Sequence, residues 1–137
     1  MSDTDIRVRM ENSFQERPCH ALSDKLLQRI GDKWTIKVVV TLSEGPMRYN
    51  QIFKSVGGVS QRMLTLTLKN LERDGLVSRT MYPTIPPRVD YELTERGKTL
   101  FEPLNALWTW VETNYEAIER DRQAFDERNT LDTLPHP

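Results

Sequence analysis

Residues 59 to 94 read VSQRMLTLTLKNLERDGLVSRTMYPTIPPRVDYELT, and the hydrophobic period changes once within them. Ser60 is a favourable N-cap and Gly75 a favourable terminator, and between them Leu64, Leu68 and Leu71 recur at i, i+4 and i+7. That spacing predicts one helix with an apolar face. At about 100° per residue, the opposite face carries Arg62, Lys69 and Arg73, with Thr65 and Leu66 beside them. The acids Glu72 and Asp74 sit off this stripe, so the outer side is cationic rather than mixed in sign. The plain alternative is a solvated face with no partner.

Beyond Gly75 the period becomes two. Leu76, Ser78 and Thr80 alternate with Val77, Arg79 and Met81, and a second strand is predicted from Arg88 to Leu93. Between them Tyr82-Pro83-Thr84-Ile85-Pro86-Pro87 places three prolines in five residues. Prolines donate nothing to a ladder and stiffen a protruding loop, which therefore loses little entropy on binding. Arg79 and Arg88 flank the base of that loop, positioned for phosphates. A purely structural hairpin is the competing reading of the tip.

Working back toward the N-terminus, Met47 to Lys54 is predicted as a short helix with Tyr49, Ile52 and Phe53 inward, and Val56-Gly57-Gly58-Val59 as a turn. Short helix, turn and basic helix, followed by a hairpin, is the order of a winged helix-turn-helix, the arrangement that grips DNA. Gly57-Gly58 is not a phosphate loop, since no lysine follows at the required spacing and no strand precedes it. Leu22, Leu26, Leu27 and Ile30 suit a first helix ending at Gly31. Asp32 then caps a second, in which Trp34, Ile36, Val38, Val39, Val40 and Leu42 are apolar almost all round, as in a central core helix.

On the C-terminal side, Thr94 caps a long helix reaching about Ile118 or further. Its face of Leu100, Leu104, Leu107, Trp108, Val111 and Tyr115, with Phe101 and Trp110 adjoining, exceeds what one small domain covers. A homodimer burying this surplus, together with Leu22, Leu26 and Trp34, would present two basic helices to successive major grooves. The alternative is that these side chains only close the monomer core.

The chain has 137 residues, 37% hydrophobic and 28% charged, which fits one domain with extensions. The expected division is a flexible segment at 1–18, a winged domain with its dimerisation helix at 19–125, and a flexible tail at 126–137. The fold class is mainly α with a small β-hairpin (α+β). Net charge is −1, yet residues 48–98 hold nine basic and five acidic residues, a balance of plus four. Residues 111–137 hold three basic and seven acidic, or minus four. Because fields are screened within about 8 Å at physiological salt, the local balance governs polyanion binding. One cysteine excludes an intrachain disulfide framework, and no apolar run suits a signal peptide or membrane span. The expected location is the cytoplasm, with no membrane partner.

Ile30-Gly31-Asp32-Lys33-Trp34, Ser60-Gln61-Arg62-Met63-Leu64, Leu71-Glu72-Arg73-Asp74-Gly75-Leu76-Val77, Tyr82-Pro83, Pro86-Pro87-Arg88-Val89 and Tyr91-Glu92-Leu93-Thr94 together resemble the HxlR-type winged helix-turn-helix transcriptional regulators, relatives of the MarR regulators. The resemblance spans about Cys19 to Tyr115. It implies a homodimer on operator DNA, with Ser60 to Arg73 as recognition helix and the hairpin as wing. It further implies, for some members, a sensing cysteine before the first helix, which Cys19 matches approximately; the other reading is an inert thiol.

The expected base readers are Ser60, Gln61, Arg62, Thr65 and Leu66, because side chains near a recognition-helix N-terminus reach base edges. Tyr49, Lys54, Lys69, Arg73, Arg79 and Arg88, with Pro83 and Pro86 of the wing, are expected on the phosphate backbone and minor groove. A small-molecule effector is a candidate partner between the long helix and the core, near Trp108 and Trp110. No cofactor, metal set or catalytic group is expected, since Cys19, His20 and His136 form neither triad nor ligand cluster. A winged module used for protein contacts is the second reading of function.

Overall fold

The computed structural model describes Arg7 and residues 20–133. Its elements run α1 (His20–Ile30), α2 (Lys33–Leu42), β1 (Met47–Arg48), α3 (Tyr49–Val56), α4 (Gln61–Arg73), β2 (Val77–Tyr82), β3 (Arg88–Leu93) and α5 (Glu95–Thr133). Cys19 and, Arg7 apart, the segment expected at 1–18 lie outside the described residues.

The apolar α2 is the centre of the molecule. Asp32 starts it by accepting hydrogen bonds from the backbone N–H groups of Trp34 (3.1 Å) and Thr35 (3.4 Å). Val38, Val39 and Leu42 are then buried against Ile52, Leu64, Leu68, Leu71, Leu93 and Leu104, which come from α3, α4, β3 and α5. Each fully buried leucine of this set contributes roughly 1.5–3 kcal/mol relative to exposure.

Helix α4 is bounded as its sequence requires. Ser60 Oγ accepts from Met63 N at 3.1 Å at the start. At the end Gly75 takes φ 74°, Gly75 N donates to the Glu72 carbonyl (3.1 Å) and Leu76 N to the Leu71 carbonyl (2.9 Å). This pair of bonds is the Schellman arrangement, with buried Leu71 and Leu76 making its apolar contact.

Two expectations need correction. Met47 and Arg48 are not helical. They form β1, which pairs antiparallel with Tyr91 and Asp90 of β3, so the hairpin becomes a three-stranded sheet of order β1-β3-β2. Pro46 holds the chain extended here, and α3 starts only at Tyr49, where Arg48 N donates to Gln51 Oε1 at 3.0 Å. The long helix, expected to reach about Ile118 or further, runs to Thr133 and so takes in the first part of the tail expected as flexible at 126–137, although its apolar period fades. The stretch 126–133 is therefore helical.

The side chains expected at a dimer interface or in the core divide cleanly. Leu104 is buried and Trp34 and Trp108 are half-buried against the core. Leu22, Leu26, Leu107, Val111 and Tyr115 are exposed, so they are not part of the monomer core. Leu27, Trp110, Ile118 and Phe125 join them at the surface.

Candidate nucleic-acid interface

The leucine stripe of α4 turns inward, and Gln61, Arg62, Thr65, Leu66, Lys69 and Arg73 are exposed as the period required. The start of the helix is fixed from α3. Tyr49 Oη donates to the Gln61 carbonyl (3.1 Å) and lies 3.2 Å from Thr65 Oγ1, while its ring stacks on Phe53. Tyr49 thus ties the two helices of the helix-turn-helix together, and Thr65 is partly engaged by it. The Ser60 hydroxyl oxygen serves as the cap, and Leu66 leans toward a groove shared with Lys25 and Gln28 of α1.

The other end of α4 is clasped by α1. Arg29 Nη1 lies 2.8 Å from both carboxylate oxygens of Asp74, the C-cap of α4. Both side chains are partly withdrawn from water, which strengthens the pair relative to a surface one. Asp74, which left the outer face of α4 cationic by sitting off it, is therefore a structural anchor. Lys54 is exposed on the last turn of α3.

In the wing, Tyr82 lies opposite Arg88 and Arg79 opposite Tyr91, which puts Arg79 and Arg88 on opposite faces of the hairpin. Arg88 is held in place by a bidentate pair, Nε to Asp90 Oδ1 at 3.0 Å and Nη2 to Asp90 Oδ2 at 2.9 Å. Its guanidinium carbon also stands 5.2 Å from the centroid of the Tyr82 ring. The hydrogen bond from Arg88 holds the Asp90 carboxyl below the usual carboxylate range, against the cost of desolvation and with help from the Arg88 and Arg48 charges. An acid whose pKa is lowered by folding contributes stability above its unfolded pKa, about 3.9, and loses it only as pH falls through the lower folded value. The clasp is therefore complete at neutral pH.

The tip of the wing, Thr84 to Pro87, faces Arg48, Tyr49 and Asn50 across a cleft. Arg48 and Asn50 were not singled out from the sequence. Their signal is the β1–β3 pairing, which is non-local and leaves no period in a two-residue strand. The tip, the N-terminus of α3 and the start of α4 are in this way contiguous, through Tyr49.

A second cavity, of about 230 Å³, lies between α2, the end of α3 and Trp108. Lys37 stands over two indoles there, 5.2 Å from the Trp34 centroid and 5.6 Å from that of Trp108. The Trp108 ring is fixed by its Nε1 donating to Glu112 Oε1 at 2.7 Å. Trp110 is exposed elsewhere and does not line this cavity.

A profile of the HxlR-like helix-turn-helix proteins matches residues 29–119, α2 through the middle of α5. The chain belongs to the HxlR-like family. An HTH-type transcriptional regulator of Methanothermobacter thermautotrophicus is 45% identical over 84 residues, which is 61% of this chain and 64% of that protein. The chain thus spans just under two thirds of that relative. The solved structure of the transcriptional regulator ytfH from Salmonella typhimurium superposes with a TM-score of 0.70 at 34% identity, covering 74% of this chain and 90% of the other. The redox regulator HypR in its reduced form gives 0.65 at 37% identity, over 72% and 97%. The matched segment takes in α3, α4 and the β2–β3 hairpin just described. Among the described residues no helix is long and apolar enough to cross a membrane.

Proposed function

We propose that this HxlR-like protein is a cytoplasmic transcriptional regulator whose homodimer binds a pseudo-palindromic operator. The observation that carries this reading is the exposed cationic stripe of Arg62, Lys69 and Arg73, on a helix whose start is fixed by Tyr49 and whose end is fixed by Arg29. Arg62 is the principal base reader, since an arginine in the first turn of a recognition helix can take guanine O6 and N7 together. Gln61, Thr65 and Leu66 supplement it. Lys54, Lys69, Arg73 and Arg79 hold phosphates; Tyr49, whose hydroxyl proton is donated to the Gln61 carbonyl, positions the start of α4 for them; Arg88, clasped by Asp90, positions the wing and its prolines Pro83 and Pro86 in the minor groove.

The test is binding of the purified protein to its own upstream intergenic DNA and to a scrambled control at two salt concentrations. Strong preference with steep salt dependence supports the regulator. Equal weak binding to both fragments favours the protein-contact module instead. Arg62→Ala is expected to weaken cognate binding by about 1–3 kcal/mol and relax specificity, whereas Lys69→Ala weakens all sequences alike. Equal loss on cognate and scrambled DNA for Arg62→Ala would remove its base-reading role.

Two signals have support. Likeness to HypR, a redox regulator, supports oxidation of Cys19. The cavity beside Trp108 supports a small-molecule effector, because its occupant would touch α3 of the reading unit and α5 at once. A ligand there is expected to change tryptophan fluorescence and DNA affinity together, and Trp108→Leu to lose both responses. A broad ligand panel that moves neither quantity argues against the site.

A further inference from the structure

The wing tip carries a feature that phosphate binding does not use. Ile85 is fully exposed, at 102% of its reference area, and no residue from Tyr82 to Pro87 is charged. A tip built only to hold phosphates would end in cations; here the nearest along the chain, Arg88, lies at the base and is turned onto Asp90 and Tyr82. Isolated exposed aliphatics are common and mean little. This one differs in its mounting. Pro83, Pro86 and Pro87 restrict the backbone on both sides, Thr84 N donates to the Tyr82 carbonyl (2.8 Å), and Thr84 Oγ1 donates to the Pro86 carbonyl (2.8 Å). The conformational entropy of the loop is therefore already lost before any partner is met.

An apolar side chain on a stiff projection beside a DNA-reading helix is the tool with which minor-groove proteins unstack a base step. The geometry supplies the neighbours. The cleft between the tip and Arg48-Tyr49-Asn50 gives a backbone strand a channel next to the tip with the exposed Arg48 and Asn50 on its far side, and Tyr49 links that channel to the start of α4. We propose that Ile85 is an apolar wedge that enters the minor groove beside the recognition site and bends the DNA toward the major groove. The proposal rests on the DNA-reading function of the preceding subsection. The expected target is a flexible pyrimidine–purine step, where unstacking is least costly.

The experiment uses the full chain and a duplex recovered by selection from a random library, end-labelled for energy transfer. Wild type is expected to shorten the end-to-end distance as a bend of about 20–90° would. Ile85→Ser is expected to reduce the bend and weaken binding about tenfold, or ~1.4 kcal/mol. Ile85→Leu is expected to retain both. Because the side chain is fully exposed, neither substitution disturbs the fold, which far-ultraviolet circular dichroism checks. Wild-type binding with no bend, or a bend unchanged in Ile85→Ser, overturns the wedge while leaving the regulator intact. Failure of wild type to select any duplex overturns both.

Discussion

Val111→Glu is expected to convert a dimer into a monomer and to weaken operator binding by about 100-fold or more. At 1.5 Å per residue the 39-residue α5 is about 58 Å long, far longer than the domain that its first turns pack against. Val111, Ile118 and Phe125 are exposed and spaced seven apart, continuing from buried Leu104, and Leu107 and Tyr115 flank the line. A seven-residue apolar repeat on a helix that leaves its own domain behind is the pattern that the proposed homodimer would bury as the seam of a helix pair. The exposed Leu22, Leu26 and Leu27 of α1 add a second apolar patch. A carboxylate at Val111 would be buried without a counter-charge in such a seam, while costing the monomer little because the residue is 44% exposed there. Losing one subunit removes the second half-site, whose effective concentration multiplies affinity by about 10²–10⁴. Sedimentation equilibrium and operator titration of wild type and Val111→Glu read this directly. A wild type that sediments as a monomer at tens of micromolar, or a Val111→Glu variant with unchanged affinity, would show that the second copy is not required.

The parts of the molecule that were legible in its sequence are those stabilised by local interactions. The leucine spacing and caps of α4, the strand Arg88–Leu93 and the Asp32 cap are all set within a few residues, and each stands where its pattern placed it. The exposed cations of the recognition helix followed from period alone. Illegible were features that require two distant segments to meet. Arg29 meets Asp74 across 45 residues, and Arg48 stands beside Asp90 only because β1 joins β3. Neither pairing alters a hydrophobic period. Arg88 looked free for phosphate because its partner two positions along a strand is recognisable only once the strand is known to keep both side chains on one face. The C-terminal stretch of α5 was obscure for the opposite reason. It has few apolar side chains to bury, so its helix carries little of the period that identifies one.

Gly97→Ala should destabilise the fold by about 3 kcal/mol, opposite in sign to the usual helix-propensity effect of roughly 1 kcal/mol in favour of alanine. Gly97 lies in the first turn of α5, where nothing in the local sequence calls for glycine. A methyl group there would fall far inside van der Waals contact with the Leu76 carbonyl oxygen and 3.3 Å from Leu93 Cδ2. The obstacle is backbone, which no rotamer change relieves. It is also backbone already in use: the Leu76 carbonyl accepts from Thr94 N at 3.0 Å, and Thr94 Oγ1 donates to the Gly75 carbonyl at 2.6 Å while accepting from Gly97 N at 3.1 Å. Thr94 and Gly97 thus fasten the start of the long helix to the end of the recognition helix. Accommodating a methyl group means withdrawing α5 from that junction and straining or breaking these bonds, two of them on Gly75 and Leu76, the residues that terminate α4. Urea unfolding reads the stability loss, and DNA affinity measured well below the transition reads the effect on α4. A Gly97→Ala protein as stable as wild type would mean that α5 can slide along the sheet without cost. Loss of stability with DNA binding intact would mean that α4 is fixed by Tyr49 and Arg29 alone. Loss of both is the expected result, because the junction that the methyl group disrupts is where the long helix and the recognition helix share their terminal hydrogen bonds.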